Sequence, residues 1–250
     1  MFCIRVFGMM CGDGWSLCCD VPLTCADPKK LNSYRSISRF GENMKILKAT
    51  RKNILDASRI VQKGGLVVYP TETVYGLGCD PFNIEAVKRV FKVKGERRKP
   101  LPILASSINH VEKIASMSQE GKKIAKKFWP GPITLVFPKK LVLPDLVTCN
   151  LDSVGLRIPK HDIALQLINL ADGLLIGTSA NRTGKKPPRI VQEAFQQLKE
   201  KVDVILDGGP TTLGKSSTVV DLTSKEPRIL REGPISFKEI LDVISKKEKF

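Results

Sequence analysis

A chain of 250 residues with 42% hydrophobic and 26% charged side chains can bury one substantial core, which excludes an intrinsically disordered chain and fits a single domain or two. No apolar run approaches the ~20 residues that a membrane span needs, so no membrane partner is expected. The net charge of +16 points instead to anionic partners: nucleotides, RNA or acidic surfaces.

The amino-terminal segment does not read like the rest. Cys3, Cys11, Cys18, Cys19 and Cys25 crowd its first 25 residues, and only Cys79 and Cys149 follow. Residues 1–43 mix Cys, Gly, Met and Trp with neither a helical nor a strand period. They also lack the continuous apolar stretch of a secretory signal. They are read as a disordered extension, or as sequence upstream of a natural start at Met44; the domain is 44–250. Two scattered cysteines in that domain suit a reducing cytoplasm rather than a disulfide scaffold. With only His110 and His161 in the chain, and no metal-ligand spacing after residue 43, no protein metal site is expected.

From Met44 the periods are orderly. Met44–Leu47 reads as an edge strand and Asn53–Lys63 as a helix closed by Gly64. Leu66–Tyr69 is a β-branched and aromatic run that stops at Pro70, which cannot donate to a sheet. Beyond it, Thr71, Glu72, Thr73 and Tyr75 place polar groups at a strand's carboxyl end, where open α/β sheets bind ligands. Gly76 and Gly78 are read as turn glycines that permit positive φ and close ligand approach. Asn83 reads as the cap of a helix with Ile84, Val87, Val90 and Phe91 on its buried stripe. The basic loop Lys94–Pro100, a strand at Leu101–Ala105, helices at Asn109–Met117 and Ser118–Phe128, and the Trp129-Pro130-Gly131-Pro132 turn follow. Strands are expected at Ile133–Phe137, Val154–Pro159, Leu174–Gly177, Val202–Leu206, Ser217–Leu222 and Arg228–Arg231. Helices are expected at Ile163–Leu170, Ile190–Glu200 and Phe237–Lys246. Interleaved strands and helices give an α/β fold, a twisted mixed open sheet with flanking helices.

The chemistry these loops offer is anion handling. Lys94, Arg97, Arg98 and Lys99 bring four cations within six residues, enough to hold a triphosphate or a nucleic-acid backbone. Arg157 stands in the apolar run Val-Gly-Leu-Arg-Ile-Pro, where a charge must be paired or face a ligand. Thr178, Ser179 and Asn181 offer two hydroxyls and an amide just past a strand. No Gly-x-Ser-x-Gly elbow is present. His161 is read as a helix cap, not a base. An enzyme built from these parts works by positioning and charge neutralisation.

The wording of several stretches is more specific than their composition. Pro70-Thr71-Glu72-Thr73-Val74-Tyr75-Gly76-Leu77-Gly78, the Lys94–Leu101 loop, Trp129–Thr134, Val154–Pro159, Gly177–Asn181, Ser216–Asp221 and Ile229–Gly233 resemble, in this order, the YrdC family of threonylcarbamoyl-adenylate synthases. The resemblance implies a YrdC-like α/β fold with a basic concave cavity. It implies formation of threonylcarbamoyl-AMP and pyrophosphate from L-threonine, bicarbonate or CO2, and ATP, for threonylcarbamoyl-adenosine modification of tRNA. Carried over by position, Thr73, Arg157, Ser179 and Ser217 are expected to contact threonine, with Arg157 paired to its carboxylate. Lys94, Arg97, Arg98, Lys99, Ser153, Asn181 and Arg231 are expected to contact ATP, with Lys94 and Arg97 in the catalytic role. Mg2+ is expected to arrive with ATP. Implied partners are tRNA or another RNA and the proteins of the tRNA threonylcarbamoyl-transfer machinery, and the implied location is cytoplasmic.

The family's basic loop usually reads Lys-x-Arg, whereas Lys94-Gly95 is followed by Glu96 and then Arg97-Arg98, so either arginine is a candidate for the family position. The alternative from another functional class is a non-catalytic module of the same fold that binds tRNA or double-stranded RNA. A carbamoyl-phosphate-using subdomain like that of hydrogenase-maturation proteins is a third, disfavoured by the absence of zinc-finger and acylphosphatase-like segments.

Overall fold

The structure is a computed structural model that describes residues 45–95 and 99–245. The expected extension 1–43 and the arginine candidates Arg97 and Arg98 lie outside the described residues. Among the described residues no helix is long and apolar enough to cross a membrane.

Local signals set the helix boundaries. Thr50 caps α1 (Arg51–Gln62), its hydroxyl accepting from the Asn53 N–H. The Asn83 amide oxygen accepts from the Ala86 N–H at the start of α2 (Ile84–Lys94). Gly95, at φ +92°, ends α2 in the left-handed region that glycine enters without strain. This stop makes Lys94 the last helical residue. Ser107 and Ser118 cap α3 (Ile108–Ile114) and α4 (Gln119–Phe128) in the same way. The single turn α5 (Asp145–Thr148), then α6 (Asp162–Leu170), α7 (Val191–Leu198) and α8 (Phe237–Ser245) complete the set.

The strands form two mixed sheets where the sequence predicts one. The first holds β1 (Lys45–Lys48), β2 (Val67–Tyr69), β3 (Gly76–Gly78), β8 (Thr178–Ser179) and β9 (Val204–Asp207), in the order β1-β9-β2-β3-β8. The second holds β4 (Ile103–Ala105), β5 (Ile133–Pro138), β6 (Ser153–Arg157), β7 (Leu174–Ile176), β10 (Thr218–Asp221) and β11 (Arg228–Arg231), in the order β11-β10-β5-β6-β4-β7. The chain passes from the second sheet to the first across Gly177, between β7 and β8.

The signature glycines do a different job from the one read in the sequence. Gly76 and Gly78 are strand residues of β3, paired with Tyr69 and Val67 of β2, and neither is among the positive-φ glycines. What they supply is space. The Tyr69 ring lies over them, and its hydroxyl donates to the Ile176 carbonyl at 3.1 Å. A Cβ on Gly78 would stand 2.6 Å from that same carbonyl oxygen and 2.9 Å from the ring. The hairpin can therefore lie against β7 only without a side chain there.

Alternation along the second sheet separates core from cavity. Ile133, Leu135 and Phe137 of β5, with Val154 and Leu156 of β6, are buried in the main core. Their neighbours Thr134, Val136, Ser153, Gly155 and Arg157 point the other way and floor an open cavity. A second cluster, including Ile54, Val61, Tyr69, Ile168 and Leu206, packs α1 and α6 against the first sheet.

Gly78→Ala is expected to destabilise the domain by about 1–3 kcal/mol through overpacking, read as a shift of the urea midpoint. An unshifted midpoint would show that the β2–β3 hairpin does not need this close approach.

Candidate active site

Nine of the residues singled out in the sequence line one cavity of about 570 Å³: Thr73, Lys94, Lys99, Ser153, Arg157, Ser179, Asn181, Ser217 and Arg231. They come from the β2–β3 turn, the end of α2, the segment entering β4, strands β6 and β8 and the loop after β8, the residue just before β10, and the end of β11. That volume falls within the ~300–1,000 Å³ usual for small-molecule sites. A separate, more open groove of about 770 Å³ is lined by Arg182, Lys185, Lys186, Lys199 and Lys201 with α7 glutamines. It holds none of the predicted site residues, so its size does not make it the site.

Arg157 is held tightly. Its Nε donates to the Gly131 carbonyl at 3.0 Å, in the turn of the Trp129–Pro132 stretch. One Nη donates to Thr73 Oγ1 at 3.0 Å. The other lies 2.6 Å from a Glu72 carboxylate oxygen. That last contact is close but poorly aligned, and neither Glu72 oxygen receives a true hydrogen bond; the pair holds by charge. Arg157 and Glu72 are only 5% and 6% exposed. The sequence demands that a charge in this strand be paired or face a ligand, and the structure gives it a protein carboxylate. Glu72 was missed as a site residue. Its sole sequence signal is its place between two site hydroxyls.

The cations elsewhere in the cavity are not neutralised in this way. Lys94 Nζ donates to the carbonyls of Ser179 (2.7 Å) and Asn181 (3.0 Å). Burial lowers its pKa to about 8, so it is mostly charged at neutral pH. Arg231 donates to the Ser217 carbonyl and hydroxyl; burial and then the nearby Arg157 charge lower its pKa. Lys99 is exposed at the rim. None of these three has an ion-pair partner among the described residues.

Buried polar atoms of Asn181 and His161 have no hydrogen-bond partner among the described residues. Asn181 spends its NH2 on the carbonyls of Arg182 and Lys185, while its buried Oδ1 has no partner. The buried Nδ1 of His161 is also unpartnered, and burial lowers the ring's pKa. His161 occupies the N-cap position of α6 without making a side-chain cap, so the expected capping role is corrected. Asp221, another lining residue the sequence reading passed over, already accepts from the Thr223 N–H and hydroxyl and faces Arg228 at 3.7 Å.

The sequence profile of the Sua5/YciO/YrdC family, described as telomere recombination, matches residues 59–233. The chain belongs to the Sua5/YciO/YrdC family. It is 43% identical over 190 residues to the threonylcarbamoyl-AMP synthase of Pyrococcus abyssi (strain GE5 / Orsay), covering 75% of this chain. It is 36% identical over 194 residues to the synthase of that name from Bacillus subtilis (strain 168), covering 76%. The chain spans 56% of the length of each of these two relatives. The crystal structure of P. abyssi Sua5 complexed with L-threonine superposes with a TM-score of 0.77 at 40% identity, covering 80% of this chain and 59% of that one. The α/β architecture and its family are thus those the sequence motifs imply.

Removing one member of the buried pair should be costly. Arg157→Ala leaves Glu72 as an isolated buried charge and is expected to lower unfolding free energy by about 3–5 kcal/mol, whereas Glu72→Met with Arg157→Met together should cost much less. Chemical denaturation of the two variants checks this; an Arg157→Ala variant as stable as wild type would contradict the pair's burial.

Proposed function

We propose that this chain is an L-threonylcarbamoyladenylate synthase, a nucleotidyltransferase that joins L-threonine, bicarbonate or CO2, and ATP into threonylcarbamoyl-AMP with release of pyrophosphate. The observation that carries the reading is the convergence of hydroxyls and uncompensated cations on one cavity. Thr73, Ser179 and Ser217 supply hydroxyls, and Lys94, Lys99 and Arg231 supply charge. Names borne by relatives over this same segment add to it.

The division of labour follows from the charges. The three unneutralised cations suit the triphosphate. Asn181 Oδ1, buried and unpartnered, asks for an N–H donor of the kind an adenine amino group carries. Ser153 lines the same cavity. Arg97 and Arg98 remain proposed phosphate contacts on the strength of the family resemblance. Threonine takes the hydroxyl-rich part, at Thr73, Ser179 and Ser217. Arg157, already matched by Glu72, acts there as an organiser of Thr73 more than as the carboxylate's counter-ion, which revises the role expected from the sequence.

The reaction needs two bond-forming steps. The free amine of threonine adds to CO2 and loses a proton to solvent, giving a carbamate. A carbamate oxygen then attacks the α-phosphorus of ATP, and pyrophosphate leaves. Negative charge grows on the departing phosphates, where Lys94, Lys99 and Arg231 stabilise it without rearranging. Mg2+ comes with the nucleotide: Asp221, the acidic side chain on the lining among the described residues, is already engaged, so the triphosphate rather than a protein cage holds the ion. Cys79, buried and in no disulfide, suits the cytoplasmic location we assign. The product then serves tRNA modification together with the threonylcarbamoyl-transfer proteins.

A second reading, an RNA-binding module, is favoured by one observation: the groove lined by Arg182, Lys185, Lys186, Lys199 and Lys201, whose charge suits a phosphate backbone. Incubation with threonine, bicarbonate and Mg-ATP separates the two. Threonine-dependent pyrophosphate and threonylcarbamoyl-AMP are expected; folded protein that makes neither, yet binds RNA in a salt-sensitive way, would favour the module.

Lys94 gives a pH signature. Its ammonium is present at pH 7 and is lost as pH rises through about 8. Nucleotide affinity should therefore be flat below neutrality and weaken up to roughly tenfold per pH unit above about 8, until the proton is also lost from the complex. In Lys94→Met, calorimetric ATP binding should be weak and show no such dependence; an identical slope in the variant would remove Lys94 from the phosphate site.

A further inference from the structure

The proton positions in the β2–β3 turn can be assigned from the geometry. Thr71 Oγ1 lies 2.6 Å from the Val74 carbonyl. A carbonyl cannot donate, so the single Thr71 hydroxyl proton is spent there. Thr71 Oγ1 also accepts, at the longer distances of 3.2 and 3.3 Å, from the Thr73 and Val74 N–H groups; with its own proton spent, its short 2.8 Å contact with Thr73 Oγ1 carries the proton of Thr73. Arg157 donates to Thr73 Oγ1 from the other side. A hydroxyl has one proton and two lone pairs. The proton and one lone pair of Thr73 are thus committed to protein, and one lone pair remains for the cavity that this residue lines.

Glu72 maintains that state. Its carboxylate sits 2.6 Å from the Arg157 guanidinium, so the charge beside Thr73 is cancelled, whereas Lys94, Lys99 and Arg231 have no carboxylate partner among the described residues. The cavity has a neutral, accepting region at Thr73 and a cationic remainder. A carboxylate or phosphate gains nothing from an acceptor; a protonated or neutral amine does.

Resting on the synthase reading above, we infer that Glu72 is a positioning residue: by holding and neutralising Arg157 it fixes Thr73 Oγ1 as an acceptor, and the substrate's amine, the nucleophile of the first step, docks there by donating an N–H. Glu72 touches neither substrate nor reacting atoms. It acts through Arg157 and Thr73, and it excludes amino-acid analogues that lack the amine.

The test compares L-threonine, its des-amino analogue 3-hydroxybutyrate and its des-hydroxy analogue L-2-aminobutyrate, by competition calorimetry on wild type, Glu72→Gln and Thr73→Val, with thermal unfolding alongside. Wild type should prefer threonine over 3-hydroxybutyrate by about tenfold or more, the worth of one hydrogen bond to a charged group. Both substitutions should shrink that ratio several-fold and leave the ratio of threonine to 2-aminobutyrate unchanged. A purely structural role for Glu72 would weaken all three ligands alike and leave both ratios as they were, which overturns the inference. So would a change confined to the 2-aminobutyrate ratio, since the donor at Thr73 would then be the substrate hydroxyl. Thr73→Val keeps the Glu72–Arg157 pair and carries the test if Glu72→Gln does not fold. Wild-type protein that binds none of the three removes the synthase reading itself, and is thereby distinguishable from a ratio that fails to move.

Discussion

Arg157 joins the two sheets of this fold at the point where they form the cavity. It projects from β6 in the second sheet and reaches Thr73 and Glu72 in the hairpin turn of the first, with the Gly131 carbonyl as its third partner. A buried guanidinium is stable only with its charge balanced and its donors occupied. That requirement holds the signature turn, the Trp129–Pro132 stretch and β6 in one arrangement, and it places the Thr73 hydroxyl at the cavity wall.

The same economy divides the site electrically. Where a cation is matched by a carboxylate, the wall is neutral and hydrogen-bonding. Where a cation rests on carbonyls and hydroxyls, as Lys94 and Arg231 do, its charge stays available to a ligand. The burial that lowers the Lys94 pKa shows that the molecule bears a cost to keep this group in place. Such a cost is characteristic of sites prepared for charge that arrives with a substrate or grows in a transition state.

Much of this is legible in the sequence, and the parts that are not share a cause. Helix starts at Ser118 and Asn83 are readable because capping is local: an oxygen two or three residues ahead of an N–H. The three-residue strand β3 and the two-residue β8 are not, because Gly-Leu-Gly and Thr-Ser carry no period. Their pairing is decided by Tyr69 and by chain that lies about a hundred residues away. The division into two sheets has the same origin. At the site, residue type was informative: Arg157 in an apolar strand had to be paired. Its partner was not, since Glu72 sits in a distant turn among residues that looked equally ready to bind a ligand. His161 shows the converse: a favourable cap position whose ring makes no cap.

The central claim is that a ligand amine and a triphosphate find separate, chemically distinct parts of one cavity. A crystal structure with L-threonine and a non-hydrolysable ATP analogue tests it most directly. The account predicts the phosphates against Lys94, Lys99 and Arg231, with the amino acid against Thr73, Ser179 and Ser217 and the Arg157–Glu72 pair intact. Phosphates bound at the Thr73 wall with that pair broken, or a nucleotide held outside the cavity, would contradict it.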